Sequence, residues 1–206
     1  MFDWLRKTSD SVQSERWIAL DLETTGLDPT RDRIVEIGAI AIHLGDIVLH
    51  DYFHRVLSGS GTISAENRIV HGVTALEQYD GAALADALES LIAWVGDSPF
   101  VGFFTEFDVK FLRTAIASQT NKAAAKSFAA NHIDVQRIAP ALFPEVKAKS
   151  LGEWSKAMKS PIKKQHRALA DALATAHLLQ RILAKLPPER RTFSELQALE
   201  QVGRWS

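Results

Sequence analysis

Cysteine is absent from the 206 residues, and the chain also lacks long hydrophobic runs, internal repeats and linkers rich in Gly, Ser or Pro. Without cysteine, disulfides and thiolate metal sites are excluded. No apolar run approaches the ~18–20 residues that a membrane-spanning helix needs, so we expect no membrane partner. The N-terminus lacks the apolar core and cleavage site of a secretory signal. These absences lead us to expect a cytoplasmic protein.

A strong net charge is missing as well. The 24 Lys and Arg residues nearly balance the 25 Asp and Glu residues, which leaves a formal net charge of −1. A surface that binds nucleic acid would therefore have to be local. The hydrophobic fraction of 46% and the charged fraction of 24% are typical of an ordinary globular protein. The length suits one compact domain with a short extension at either end.

Apolar periodicity predicts an alternation of strands and helices. The predicted strands cover residues 17–22, 34–42, 47–56, 99–104 and 132–135. The third of them follows Gly45-Asp46, which is a two-residue hairpin signal. The predicted helices cover residues 81–95, 105–118, 150–158 and 167–185, and a further helix is expected in the tail through Phe193, Leu196 and Leu199. A hairpin meander followed by strands alternating with helices predicts an α/β fold with a mixed central sheet flanked by helices.

Two carboxylates stand at the end of the first predicted strand, in the run WIALDLETTGL. Side chains alternate along a strand, so Asp21 and Glu23 point to one face, about 6.5–7 Å apart along the chain. Trp17 and Ala19 share that face. Two acids in this position can bind hard divalent cations, which prefer oxygen ligands. The alternative is that they are turn-forming residues before Thr-Thr-Gly.

A third acid, Asp108, follows the fourth predicted strand. It lies in the first turn of the next predicted helix, at the sheet edge where α/β folds tend to place their sites. The alternative is a capping box, in which Thr105 caps the helix and Asp108 lies near the N-terminal dipole.

A fourth acid, Asp171, lies in the run HRALADALATAHLL. Its helical face also carries Ala168, Thr175, Leu178 and Ile182, so this acid is expected to turn away from solvent and to need a counter-charge. On a continuous helix His166, five residues earlier, would point away from Asp171. We therefore expect His166 in the loop before the helix, where it can lean over the same site.

Together these motifs resemble those of a known family. DLETTGL, the FD of EFDVKFL and HRALADA are similar to the three motifs of the DEDDh 3′–5′ exonucleases, a family that includes the polymerase III epsilon subunit, ribonuclease T and oligoribonuclease. The resemblance implies a ribonuclease H-like fold. It divides the chain into an N-terminal extension (1–15), an exonuclease domain (16–186) and a C-terminal tail (187–206) that is expected to be helical.

The resemblance also assigns roles to residues. It implies that two divalent cations, Mg²⁺ or Mn²⁺, are held by four carboxylates, which are Asp21, Glu23, Asp108 and Asp171. His166 would be the general base that takes a proton from the attacking water. Five further residues would contact the terminal nucleotide, namely Thr24, Leu27, Val70, His71 and Phe107.

One departure from the family pattern follows the fourth strand. The family pattern is commonly VGHNxxFD, with the Asn four residues before the Asp. This chain has Phe103 and Phe104 in place of that His-Asn pair. The metal-binding acids are unaffected, so we expect the change to alter strand affinity or preference rather than to abolish activity.

A basic stretch precedes the histidine. It contains one acid, Glu153, against seven cations, which are Lys147, Lys149, Lys156, Lys159, Lys163, Lys164 and Arg167. A solvated basic face is the usual explanation of such a run. Next to a phosphodiesterase motif we favour phosphate contacts, above all by Lys163, Lys164 and Arg167, because backbone charge dominates nucleic-acid affinity.

Three functions fit these motifs. The leading hypothesis is a 3′–5′ exonuclease that acts on single-stranded, frayed or mismatched DNA ends and releases nucleoside 5′-monophosphates. The alternatives are an RNA-trimming exonuclease and a catalytically silent nucleic-acid-binding module, and the retained acids and histidine argue against the last. The tail is shorter than the one that attaches the epsilon subunit to its polymerase, and it has no convincing sliding-clamp peptide. We therefore expect no polymerase or clamp partner, and a homodimer is left undecided.

Overall fold

The computed structural model describes residues 16–59, 72–119, 122–160 and 166–203. Within these ranges five strands form one mixed sheet, in the spatial order β3-β2-β1-β4-β5. The strands are β1 (Arg16–Thr24), β2 (Ile34–His43), β3 (Asp46–Val56), β4 (Phe100–Gly102) and β5 (His132–Asp134). β2 pairs antiparallel with both β1 and β3, whereas β4 is parallel to β1 and β5 is parallel to β4. The predicted mixed sheet and its five strands are confirmed.

Helices cover both faces of the sheet. Those described are α1 (Ala75–Tyr79), α2 (Leu84–Val95), α3 (Thr105–Gln119), α4 (Lys122–Ser127), α5 (Val135–Leu142), α6 (Leu151–Ala157), α7 (Ala168–Lys185) and α8 (Phe193–Gly203). One 3₁₀ turn, Pro188–Arg190, follows the proline pair that ends α7. None of the described helices is both long enough and apolar enough to cross a membrane.

Alternation along β1 divides the core into two layers. Trp17 and Ala19 pack in one layer with α5, α7 and α8. Ile18 and Leu20 pack in the other with α2 and α3. This alternation confirms the face predicted for Asp21 and Glu23, which is the face covered by α7.

Helix α7 lies unusually close to β2. At Gly38 an added Cβ would stand 2.1 Å from backbone atoms of Ala168 and Leu169, a distance that no side chain could occupy. Gly38 also pairs directly with Asp21 in the sheet. A glycine therefore allows the first turn of α7 to lie against the strand pair that carries the acids.

The C-terminal segment packs onto the same core. The predicted helix is present as α8, and its Phe193 and Leu196 are buried in the layer that contains α7. The rings of Trp17 and Phe193 lie 5.9 Å apart, which joins the tail to β1. The domain boundary at residue 187 stays a prediction, and the hydrophobic core continues across it. The predicted N-terminal extension, residues 1–15, lies outside the described residues.

One local prediction was wrong, and three short helices were missed. The hairpin turn consists of Leu44 and Gly45, with φ values of +51° and +88°, and Asp46 is already in β3. A tight turn of this kind needs positive φ at both central residues, and the run gave no such signal at Leu44. The short helices α1, α4 and α5 were also not predicted.

Candidate functional site

The acids of β1 stand where its pairing with β2 becomes irregular. Glu23 still pairs with Glu36, but the register shifts at the next step, between Glu23 and Thr24. β1 therefore carries Asp21 within the sheet and Glu23 at its margin, both on the face covered by α7. Both acids therefore lie on the strand and not in the turn that follows it.

Asp108 reaches back to the same strand. Its side chain is only 3% exposed, and its Oδ1 accepts a hydrogen bond from the Leu22 amide at 3.1 Å. The Thr105 hydroxyl donates to the Ile133 carbonyl at 2.8 Å, and α3 begins at Thr105 itself. The predicted role of Thr105 as the cap was therefore wrong, because Thr105 lies inside the helix. Asp108 does lie in the first turn, as predicted, and it is bonded to β1.

His166 and Asp171 enter the site from the start of α7. His166 lies before the helix with φ +63°, and its backbone amide donates to Asp171 Oδ2 at 3.0 Å. One ligand atom each of Glu23, His166 and Asp171 lies within 4.8 Å of the others. The predicted position of His166 in the loop before α7 is confirmed, and so is the inward-facing side of α7 that carries Asp171.

The four acids repel one another in a poorly solvated site. Burial raises the pKa of Asp21 well above its usual range, and the charges of Asp108, Asp171 and Glu23 raise it further. Burial, with the charges of Asp171 and Glu36, raises the pKa of Glu23 to about 8. Burial likewise raises the pKa values of Asp108 and Asp171. The site is therefore electrostatically strained unless protons or cations enter it.

We expect the thermal midpoint of the metal-free protein to fall as the pH rises from 6 to 9. Glu23 binds a proton more tightly in the folded state, where its pKa is about 8, than in the unfolded state, where it is near the ordinary 4.5. Stability is thus lost as the pH rises through that interval. Differential scanning fluorimetry in a chelator measures the slope, and Glu23→Gln should flatten it. A midpoint that rises over this range would contradict the electrostatics described above.

A residue that the motif analysis missed holds the start of α7 in place. Glu36, on β2, is 1% exposed and accepts hydrogen bonds from Arg167 at 3.0–3.1 Å and from the Ala168 amide at 3.3 Å. His54 Nε2 lies 2.5 Å from the same carboxylate. Burial alone would raise the pKa of Glu36, but the hydrogen bonds from His54 and Arg167 outweigh it and lower the pKa. The available signal was a lone acid inside the apolar run IVEIGAIAI.

Arg167 already has two carboxylate partners. Besides Glu36, its guanidinium pairs with Glu77 of α1 at 3.2 Å, and its side chain is 24% exposed. The phosphate contact expected of Arg167 stays a prediction. In the structure this residue links α1, β2 and α7, and it is adjacent to His166 in the chain.

The other predicted nucleotide contacts are placed unevenly. Leu27 is 84% exposed, beside a turn in which the Thr24 hydroxyl donates to the Gly26 carbonyl at 2.7 Å. Phe107 is partly buried, with its ring 4.8 Å from that of Phe111. The remaining contacts lie outside the described residues, and they are Val70, His71, Lys163 and Lys164. Four cations of the basic stretch are exposed, namely Lys147, Lys149, Lys156 and Lys159.

The donor set fits divalent cations. Carboxylate oxygens are the ligands that Mg²⁺ and Mn²⁺ prefer. The raised pKa values of the acids show that the chain alone does not balance their charges. Asp21, Glu23, Asp108 and Asp171 are the residues that would hold such ions.

Comparison with known proteins gives one family. The profile of the RNase_T family, described as exonuclease, matches residues 18–179. DNA polymerase III PolC-type of Bacillus subtilis is 28% identical over 172 residues, which are 84% of this chain but 12% of that protein. The chain therefore spans about an eighth of the length of such PolC-type relatives. The DNA polymerase III epsilon subunit of Aquifex aeolicus is 26% identical over 87% of this chain and 86% of its own.

Solved structures share the fold. Exonuclease I of E. coli in complex with a dT13 oligonucleotide superposes with a TM-score of 0.73 at 18% identity, over 89% of this chain and 45% of that one. Cell-death related nuclease 4 gives a TM-score of 0.70 at 17% identity, over 82% of this chain and 64% of the other. The ribonuclease H-like fold predicted from the motifs is thus confirmed.

Proposed function

This chain belongs to the RNase_T exonuclease family, and from that premise we propose that it is a metal-dependent 3′–5′ exonuclease that acts on DNA. The observation that carries the proposal is the convergence of one histidine and four acids from β1, α3 and the start of α7. The hydrogen bond from the Leu22 amide to Asp108 joins β1 to α3, and Glu36 of β2 holds the start of α7 by accepting hydrogen bonds from Arg167 and from the Ala168 amide. A protein that only binds nucleic acid has no need for this costly arrangement of charge.

The reaction is hydrolysis of the last phosphodiester linkage. Divalent cations, when bound by Asp21, Glu23, Asp108 and Asp171, supply positive charge that favours attack of water on phosphorus. An imidazole nitrogen of His166 accepts the proton of the attacking water. Asp171 accepts a hydrogen bond from the His166 backbone amide. This bond holds the loop that carries His166 in its position beside Glu23. The products are a nucleoside 5′-monophosphate and a strand that is one nucleotide shorter.

DNA is the proposed polymer because similar proteins are named DNA polymerase III PolC-type and DNA polymerase III subunit epsilon, and the exonuclease I complex holds a DNA oligonucleotide. Exposed Leu27 supports a site that touches the terminal base without reading its identity. Such a site admits a frayed or single-stranded end more readily than a stable duplex, because the end must first unpair. We propose Mg²⁺ or Mn²⁺ as the ions.

The test is a side-by-side digestion of 5′-labelled single-stranded DNA, mismatched duplex, matched duplex and RNA, each with Mg²⁺ and with Mn²⁺. We expect a ladder that shortens from the 3′ end, fastest on single-stranded DNA and faster on mismatched than on matched duplex. A phosphorothioate at the last linkage should block the ladder, and Asp21→Asn serves as the inactive control. Digestion of RNA in preference to DNA would overturn the choice of polymer, and endonucleolytic fragments would overturn the proposed reaction.

A further inference from the structure

Phe104 is an aromatic residue in an unfavourable backbone conformation. It lies two residues after the end of β4, its φ is +64°, and its side chain is 53% exposed. Glycine adopts the left-handed backbone region freely and asparagine tolerates it, but a residue with a bulky side chain is an outlier there. Exposure also leaves this large ring with little burial to offset the strain.

The surrounding backbone holds Phe104 in this conformation. Its amide donates to Asp134 Oδ1 at 3.1 Å, and its carbonyl accepts from the Phe107 amide at 2.9 Å. Asp134 is itself 3% exposed and also accepts from the Gln136 amide at 3.0 Å. Strain that is fixed in this way, at a residue whose ring faces solvent, is typical of a functional position rather than a packing one.

Phe104 lies at the end of the sheet where β1 carries its acids. β4 is the parallel neighbour of β1, and Asp108 lies four residues beyond Phe104. The ring meets the Phe103 ring edge to face, with centroids 5.3 Å apart. Phe103 is buried in the layer that contains α7, on the sheet face that carries Asp21. Phe104 therefore borders the side of the sheet from which Asp171 and His166 enter.

The same layer also receives the basic stretch. Trp154 of α6 packs in that layer, and the exposed Lys156 and Lys159 follow it in the chain. Phe107 instead packs against the opposite layer, where α2 and α3 lie. The Phe104 ring, which contacts Phe103 of the α7 layer, is thus on a different layer from Phe107, the predicted contact of the terminal base.

We propose that the Phe104 ring is a stacking surface for a nucleobase of the bound strand, upstream of the terminal nucleotide. Stacking on an exposed ring accepts any base, because every base has a π-face. The contact would hold the strand that remains after each cleavage, and so it would set affinity for single strands rather than the rate of the chemical step. The inference rests on the proposed exonuclease function.

The experiment compares Phe104→Gly and Phe104→Asn with Phe104→Tyr on single-stranded DNA. Glycine and asparagine fit φ +64°, so these variants should melt at or above the temperature of the unmodified protein. We expect KM to rise at least about fivefold for both, with kcat little changed, and Phe104→Tyr to keep KM near that of the unmodified protein. Phe104→Gly should also lose affinity for single strands in a fluorescence anisotropy titration with Ca²⁺.

An abasic scan locates the stacked base. Abasic sites placed in turn at the last five positions should raise KM of the unmodified protein at one upstream position, and that rise should vanish in Phe104→Gly. An unchanged KM of Phe104→Gly, in a preparation that degrades DNA, would overturn the stacking assignment alone. If the unmodified protein degraded no nucleic acid, the proposed function would fail and this inference with it.

Discussion

His166→Ala is expected to lower kcat on single-stranded DNA by about 10²-fold or more while metal binding persists. Among the residues that the structure describes, the imidazole is the one nitrogen base in the cluster with Glu23 and Asp171, and its removal takes away the positioned proton acceptor for water. The four acids remain, so the rise in thermal midpoint on adding Mn²⁺ should be retained. Steady-state kinetics at saturating metal and a fluorimetric melt measure the two quantities on the same preparation.

Two further variants sharpen this prediction. His166→Gly suits the φ of +63° at this position, so its loss of turnover cannot be ascribed to backbone strain. Free imidazole added to His166→Gly should restore part of kcat. His50→Ala, at an exposed histidine of β3, is the matched control and should change nothing. A His166→Ala protein that kept most of its turnover would remove His166 from the role of base.

Asp21→Asn should reduce activity by about 10³-fold or more and abolish most of the metal-induced rise in thermal midpoint. Asp21 is the acid most affected by the others, because Asp108, Asp171 and Glu23 all raise its pKa. The isosteric amide removes one charge from that group, so the metal-free variant should be more stable at pH 8 than the unmodified protein. Melts with chelator and with Mg²⁺ separate the two effects.

The matched control for Asp21→Asn is Asp97→Asn, at an exposed acid beyond the end of α2. This variant lowers the negative charge of the whole protein by the same amount but leaves the charge of the acid site unchanged. Activity and the metal-induced rise in thermal midpoint should therefore be unchanged. A metal response of Asp21→Asn equal to that of the unmodified protein would show that the ions bind elsewhere.

Much of this architecture follows from short-range patterns in the sequence. The alternation of Trp17, Ala19 and Asp21 against Ile18 and Leu20 fixed one face of β1 in advance, and the structure confirms it. The helical spacing around Asp171 likewise indicated which side of α7 turns inward. Both predictions depend on periodicity, which is a property of neighbouring residues and needs no knowledge of the tertiary structure.

Contacts between distant residues were not available from such patterns. Glu36 accepts a hydrogen bond from Arg167, which lies 131 positions later in the chain. Neither segment contains a pattern that indicates this contact. The left-handed backbone at Phe104 depends on Asp134, which is 30 positions away. The short helix α1 gave too few residues for a period, although Thr74 and Glu77 form a capping box at its start. These features arise from tertiary packing, which local propensity does not contain.

Gly38 sets a limit on how this catalytic centre can vary. The hydrogen atom that it carries in place of a methyl group determines the gap between β2 and the beginning of α7. Any larger residue would wedge these two elements apart and would move Asp171 away from Asp21, even though it would touch neither acid. Tolerance to substitution should therefore be lower at this buried, chemically inert position than at many residues that face the bound strand.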